Sequence, residues 1–159
     1  MPELRIPFEE AIHEPRLLKA RFDTLSLPQQ TLLKVTYGLP LAGRELELWS
    51  AFQEKADFDY LGYITKVTPL EYVPQRYQEC WAVIGRRGSK SDGYAATITA
   101  YEASCGGHEA HMRKGQRAMC FQVAQDLRMA RYSLHFIRAA LESSPLLNRM
   151  VTDVTADRI

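Results

Sequence analysis

Cys80-Trp81-Ala82-Val83-Ile84-Gly85-Arg86-Arg87-Gly88-Ser89-Lys90-Ser91 is the stretch on which the fold reading turns. Its first five residues form a short continuous apolar run of the kind that parallel sheets bury on both faces. The glycine-bearing turn that follows opens a helix expected from about Lys90 to Glu102 and ended by Cys105-Gly106-Gly107. Further on, Ala118-Met-Cys-Phe-Gln-Val-Ala124 reads as a second strand and Met150 to Thr155 as the start of a third. Between them Asp126 to Glu142 is the clearest helix, with Leu127, Ala130, Leu134, Ile137 and Leu141 on one stripe and Ser143-Ser144-Pro145 as its stop. Strand, turn, helix, strand, helix, strand predicts a parallel α/β sheet with right-handed crossovers.

Upstream the chain reads as helical. Pro15 to Asp23 carries Leu17, Leu18, Ala20 and Phe22 at loose helical spacing. Ser26-Leu-Pro-Gln-Gln is a helix start, with Ser26 as cap and Pro28 in the first turn, and Gly38 and Pro40 end that helix. Arg44 to Ala56 is a third helix, with Leu46, Leu48, Trp49 and Phe52 on its apolar side. Residues 57–75 read as a connector. The expected division is therefore a helical segment over 1–75 and an α/β core over 76–159.

Composition sets the outer limits. The 159 residues are 46% hydrophobic and 25% charged, enough for a packed core and unlike a disordered chain. Twenty Lys+Arg against nineteen Asp+Glu leave a net charge of +1, which argues against a protein that coats polyanions in bulk. The basic residues are 14 Arg to 6 Lys, a bias toward the side chain suited to planar contacts with phosphate and carboxylate. No apolar run reaches the ~20 residues of a membrane helix, and the N-terminus has no signal-peptide pattern. Cys80, Cys105 and Cys120 are odd in number and include no CxxC pair, which excludes a disulfide scaffold and fits a reducing, cytosolic setting. Cys80 and Cys120 fall in the expected strands and read as inert core thiols.

The turn at 85–91 carries the chemistry. A phosphate-binding loop needs a strand-to-helix placement, where backbone N–H groups and the helix N-terminus face the anion. Lys90 adds a point charge, and the hydroxyl of Ser91 beside it is of the type that ligates Mg²⁺. The strict pattern GxxxxGK[ST] is not met, because its two glycine positions fall on Ile84 and Ser89. The plainer reading of the same residues is a basic surface turn ahead of a helix.

The segment from Tyr72-Val-Pro-Gln-Arg-Tyr through Gly85-Arg-Arg-Gly-Ser-Lys-Ser91 resembles the ATPase domain of the large terminase subunit of tailed bacteriophages, the motor that packages DNA. Cys120-Phe-Gln-Val-Ala-Gln-Asp-Leu-Arg looks like that family's second strand and helix. Leu27-Pro-Gln-Gln followed by Tyr37-Gly-Leu-Pro-Leu is similar to the helical lid that precedes the motor. The resemblance implies an incomplete P-loop NTPase-type sheet with an N-terminal helical lid, binding ATP and Mg²⁺. It implies that Gly85 and Gly88 shape the loop, that Arg87 and Ser89 are nucleotide-binding positions within it, that Lys90 contacts the β/γ phosphates and that Ser91 holds the Mg²⁺. Arg86 would act catalytically on the γ phosphate, where a charge stabilises phosphoryl transfer. Gln75, Arg76 and Tyr77 match the adenine-contacting segment, and equally fit a polar lead-in to a strand. By the same resemblance the partners are double-stranded DNA, a portal, a small terminase subunit and a homo-oligomeric ring of the full-length protein, in the host cell cytoplasm and away from membranes.

Two departures bear on that implication. Ser89 stands where the family has the glycine before the lysine, and a Cβ there costs of order 1–3 kcal/mol if φ must be positive. The acidic metal and catalytic pair, the coupling motif and the nuclease domain have no counterpart before Ile159. The reading from another class is a non-catalytic remnant that acts as an interaction module. Lesser signals stay with their plainer readings: Cys105-x2-His108-x2-His111 is a polar loop, since structural zinc wants four ligands. Arg128, Arg131 and Arg138 form the outer face of the 126–142 helix.

Overall fold

Apolar residues at helical spacing, cut by caps and glycines, build short helices along this chain. A computed structural model describes residues 5–54, 72–75, 77, 79, 80, 82, 84 and 88–155. The helices are α1 (Phe8–His13), α2 (Lys19–Asp23), α3 (Leu27–Thr36), α4 (Arg44–Glu54), α5 (Ala96–Ser104), α6 (Leu127–Glu142) and α7 (Pro145–Asn148). A π-helical turn, Lys90–Ala95, runs directly into α5, and a 3-10 turn spans His108–His111. The chain divides into two compact units, Met1–Leu25 with Val83–Ile159, and Ser26–Ala82.

The larger unit is centred on α5. Ala96, Thr97, Ala100 and Tyr101 are buried, and α5 packs against α6. Phe8 of α1 stands edge-on to Tyr101, with centroids 5.0 Å apart, and edge-on to Phe22 of α2 at 6.5 Å. Edge-to-face rings of this kind add about 0.5–1.5 kcal/mol beyond the area they bury. The Tyr101 hydroxyl donates to Ile6 O at 2.8 Å, and Ile6 N–H donates to Cys105 O at 3.1 Å, so the N-terminal residues are tied to both ends of one helical turn. Gly107 allows this approach. Its φ is +70°, and a Cβ there would lie 2.7 Å from Arg5 Cβ. The buried Ser144 accepts from Leu147 N–H as the cap of α7 and donates to Arg16 O.

The two helices described in the smaller unit begin where the sequence reading placed them. Ser26 N–H donates to Gln29 Oε1 at 2.8 Å, one arm of a capping box, and Pro28 sits in the first turn of α3. Gly38, with φ +68°, ends that helix. Lys34 Nζ donates to Glu45 Oε1 at 2.6 Å and holds α3 to α4, while Trp49 meets Tyr72 edge-on at 5.9 Å.

The sheet is the expectation that the structure overturns. Among the described residues there is no strand, so the predicted α/β class and the incomplete P-loop sheet are not formed. Of the first expected strand, Cys80 and Ala82 are exposed and Ile84 is half-buried. The second, 118–124, has no regular structure and is exposed along most of its length, and 150–155 is irregular too. A strand needs a neighbour to take its N–H and C=O groups. Among the described residues of these three segments no ladder is formed, and an apolar run without a ladder partner is not a buried strand. Cys80 and Cys120 accordingly are exposed, and only Cys105 is a core thiol.

Candidate functional site

The turn ahead of α5 is built from Gly88, Ser89, Lys90 and Ser91. Ser89 has φ 50° and ψ 34°, the left-handed region, and is the only non-glycine residue with positive φ among those described. Left-handed geometry followed by helical geometry points successive backbone N–H groups to one side, the arrangement that makes an anion-binding concavity. The helix then begins, with Gly93 N–H donating to Ser89 O at 2.7 Å. The first N–H groups of a helix have no intrahelical acceptor. Gly88, Ser89 and Lys90 are exposed and Ser91 is half-buried. Among the described residues no ion pair holds the Lys90 ammonium, and no hydrogen bond engages the Ser91 hydroxyl.

The opening of the helix is π-helical for a reason that lies in α2. Arg21 donates through Nη2 to Asp92 Oδ1 at 2.6 Å and also to the Asp92 carbonyl oxygen. In a regular α-helix that carbonyl accepts from the N–H four residues on. Here Ala96 N–H instead reaches five residues back to Ser91 O. Arg21 occupies the oxygen and widens the turn, and π turns of this kind concentrate at functional sites. The Arg21 side chain is mostly buried, and its Nε has no hydrogen-bond partner among the described residues. The pair also neutralises the carboxylate beside Lys90, which would otherwise oppose an anion at the helix start. Sequence reasoning did not single out Arg21, which lies 71 positions from Asp92 and belongs to no motif.

The remaining expected site residues divide. Gly85, Arg86, Arg87 and Arg76 lie outside the described residues. Gln75 and Tyr77 are exposed and bonded to each other, Gln75 Nε2 donating to Tyr77 Oη at 3.1 Å. They belong to the unit 26–82, whereas Gly88 to Ser91 belong to the other. His108 pairs with Glu102 at 2.7 Å, and no group of three or more His, Cys, Asp or Glu that could hold a metal occurs among the described residues. Arg138 pairs with Glu142 at 2.6 Å along α6.

A second feature was not foreseen. The apolar stripe of α6 forms one wall of a cleft of about 1300 Å³, with Thr99 and Glu102 of α5 and the stretch 116–122 as the others. Ile137 and Leu141 are buried at its base, and Leu127 at the other end is 59% exposed. The signal was present as the amphipathic stripe Leu127, Ala130, Leu134, Ile137 and Leu141 itself. No described helix is long and apolar enough to cross a membrane. Compared with family models, with curated proteins and with solved structures, the chain matches none.

Proposed function

We propose that the chain binds the phosphates of a nucleotide, ATP with Mg²⁺, at the turn Gly88–Ser91, as the nucleotide-binding part of a terminase large subunit. The observation that carries the reading is the left-handed Ser89 leading directly into a helix whose first residues are Lys90 and Ser91. Exposed N–H groups at a helix start, an unpaired ammonium and an unengaged hydroxyl fit a phosphate with its metal. Mg²⁺ keeps several waters and takes most of its other oxygens from phosphate, so one hydroxyl from Ser91 is a sufficient protein contribution to binding. When bound, the metal neutralises charge on the phosphate oxygens. Lys90 holds the phosphates as a point charge, and Arg21 keeps Asp92 from opposing them. The associations with double-stranded DNA, a portal and a small subunit, and a place in the host cytoplasm, rest on the resemblance alone.

The reading concerns binding and not turnover. Phosphoryl transfer also needs an oriented water and an acid to anchor the metal's far side. Asp92 is held by Arg21, and Asp126 caps α6 by accepting from Met129 N–H at 2.8 Å. Neither carboxylate is available for that task. Fluorescent-nucleotide binding with Mg²⁺, on the wild type and on Lys90→Ala, tests the proposal. Binding that is lost in the variant supports it, and equal signals from the two proteins reject it. Phosphate release should stay at the level of Lys90→Ala.

A second reading, a non-catalytic interaction module, is favoured by one observation. Met119, Phe121 and Val123 are large apolar side chains left exposed within one short stretch.

A further inference from the structure

The segment 5–25 touches the helical run Lys90–Ser104 at both of its ends. At the far end Ile6 N–H donates to Cys105 O at 3.1 Å, and Tyr101 Oη donates to Ile6 O at 2.8 Å. Phe8 of α1 stands edge-on to the same Tyr101 ring at 5.0 Å. At the near end Arg21 of α2 donates to the Asp92 carboxylate at 2.6 Å and to the Asp92 carbonyl oxygen. With a rise of 1.5 Å per residue, the two ends lie roughly 20 Å apart. One segment therefore reaches from the residue after α5 to the turn that opens the helix.

The near contact selects a register. With Arg21 on the Asp92 carbonyl, Ala96 N–H closes the wider ring to Ser91 O. Without Arg21, that N–H has the Asp92 carbonyl at the ordinary helical spacing of four. The opening of the helix thus has two hydrogen-bonding arrangements within reach. The same contact settles where the Asp92 charge goes, because a released carboxylate would stand in the first turn with Lys90 and oppose an anion. Arg21 Nε is buried without a hydrogen-bond partner among the described residues. A buried donor left unmade weakens a contact, so the docked arrangement is held with less margin than a fully bonded one.

We infer that Arg21 is a positioning residue for the turn Gly88–Ser91, and that docking of segment 5–25 and phosphate binding at that turn are one coupled equilibrium. This coupling rests on the nucleotide reading of the turn. Docked, the segment holds Asp92 and keeps the π-helical opening. Undocked, it releases both, and the affinity for phosphate falls. A ligand shifts an equilibrium only by its difference in affinity for the two states, and here the Asp92 carboxylate supplies that difference. Linkage is reciprocal, so a bound phosphate in turn holds the segment down, including its far end at Ile6.

Two measurements on the full chain test this, with a fluorescent ATP analogue and Mg²⁺ for affinity and ATP and Mg²⁺ for hydrogen exchange. Arg21→Ala should raise the dissociation constant at least about fivefold, the low end of ordinary coupling. Adding Asp92→Asn should bring it back to within about twofold of the wild type, because the two residues act through one contact. A side chain that touched the phosphates itself, or only supported the fold, would cost the same in either background. Hydrogen exchange uses the wild type and needs no variant to fold. Saturating ATP should slow the Phe22 and Ile6 amides by about the factor that Arg21→Ala costs in affinity, and should leave the Tyr37 amide of the other unit unchanged. Equal binding by the wild type and Lys90→Ala rejects the nucleotide reading and the coupling with it. Binding that is lost in Lys90→Ala but kept in Arg21→Ala, no rescue by Asp92→Asn, or an Ile6 amide indifferent to ATP would each overturn the coupling alone.

Discussion

The stretch Ala96 to Tyr101 and the stretch Ala118 to Ala124 are alike in apolar character, yet the first is the centre of a core and the second is largely exposed. What separates them is where the backbone groups go. The backbone N–H and C=O groups of a helix interior are satisfied within it, so Ala96, Thr97, Ala100 and Tyr101 can be buried where α5 meets α6 and Phe8 of α1 without a polar penalty. In 118–124 the backbone depends on a second segment, and the side chains stay in water with it. Local hydrogen bonding decides which apolar run this chain can bury by itself.

Thiol labelling offers the widest contrast. Cys105 follows α5 and is buried, and burial pushes its thiol above the usual cysteine range; Cys120 is an exposed residue whose thiol is also pushed up, by partial burial and then by the Glu102 carboxylate, and Cys80 is exposed. A disulfide reagent at neutral pH should modify Cys80 quickly, Cys120 more slowly for its smaller thiolate fraction, and Cys105 slower than Cys80 by ~10³-fold or more, since Cys105 reacts only when its surroundings open. Three equally fast thiols would erase the contrast between the two regions.

Next in size is the aromatic centre. Tyr101→Ala should cost about 3–5 kcal/mol in chemical denaturation, through the lost ring and an unsatisfied Ile6 carbonyl. Phe121→Ala should stay within about 0.5 kcal/mol, since the ring is exposed. Similar costs for the two would mean that 118–124 is covered after all. Gly107→Ala should be intermediate, at about 1–3 kcal/mol, because the residue combines positive φ with backbone of Arg5 2.9 Å from the new Cβ.

The smallest effect has the opposite sign. Ser89→Gly removes a left-handed non-glycine residue and should stabilise the chain by about 1 kcal/mol, seen as a higher denaturation midpoint. If Ser89 also crowds the phosphates, nucleotide should bind up to ~10-fold more tightly to the same variant. Unchanged stability would mean that the turn relaxes freely.

The helices were legible because their signals are local. Ser26 with Gln29, Asp126 ahead of Leu127, and Gly38 after Thr36 each act within a turn of the element they bound. The helix α1 escaped notice because Phe8, Ala11 and Ile12 make a stripe too short to stand out. The strands were misread for a reason of the same physical kind. A period of apolar residues states that a segment could be buried in a sheet, but only a neighbouring strand can make the sheet. At the candidate site, Lys90 and Ser91 were legible from residue type and spacing. Arg21 was not, because its contact with Asp92 is made by tertiary folding alone.

The tie between Ile6 and the end of α5 has a consequence for how the chain is made. During translation, α1 and α2 leave the ribosome well before their packing partners, since roughly 80 residues separate Asp23 from Cys105. At ~5–20 residues per second that interval is about 4–16 s. Throughout it Phe8, Ile12, Leu18 and Phe22, all buried in the finished unit, have nothing of α5 to rest against. The segment 26–54 makes its helix pair from neighbouring sequence and can complete that pair while the wait lasts. The emerging segment 8–23 is thus a natural client for a chaperone that binds short apolar peptides.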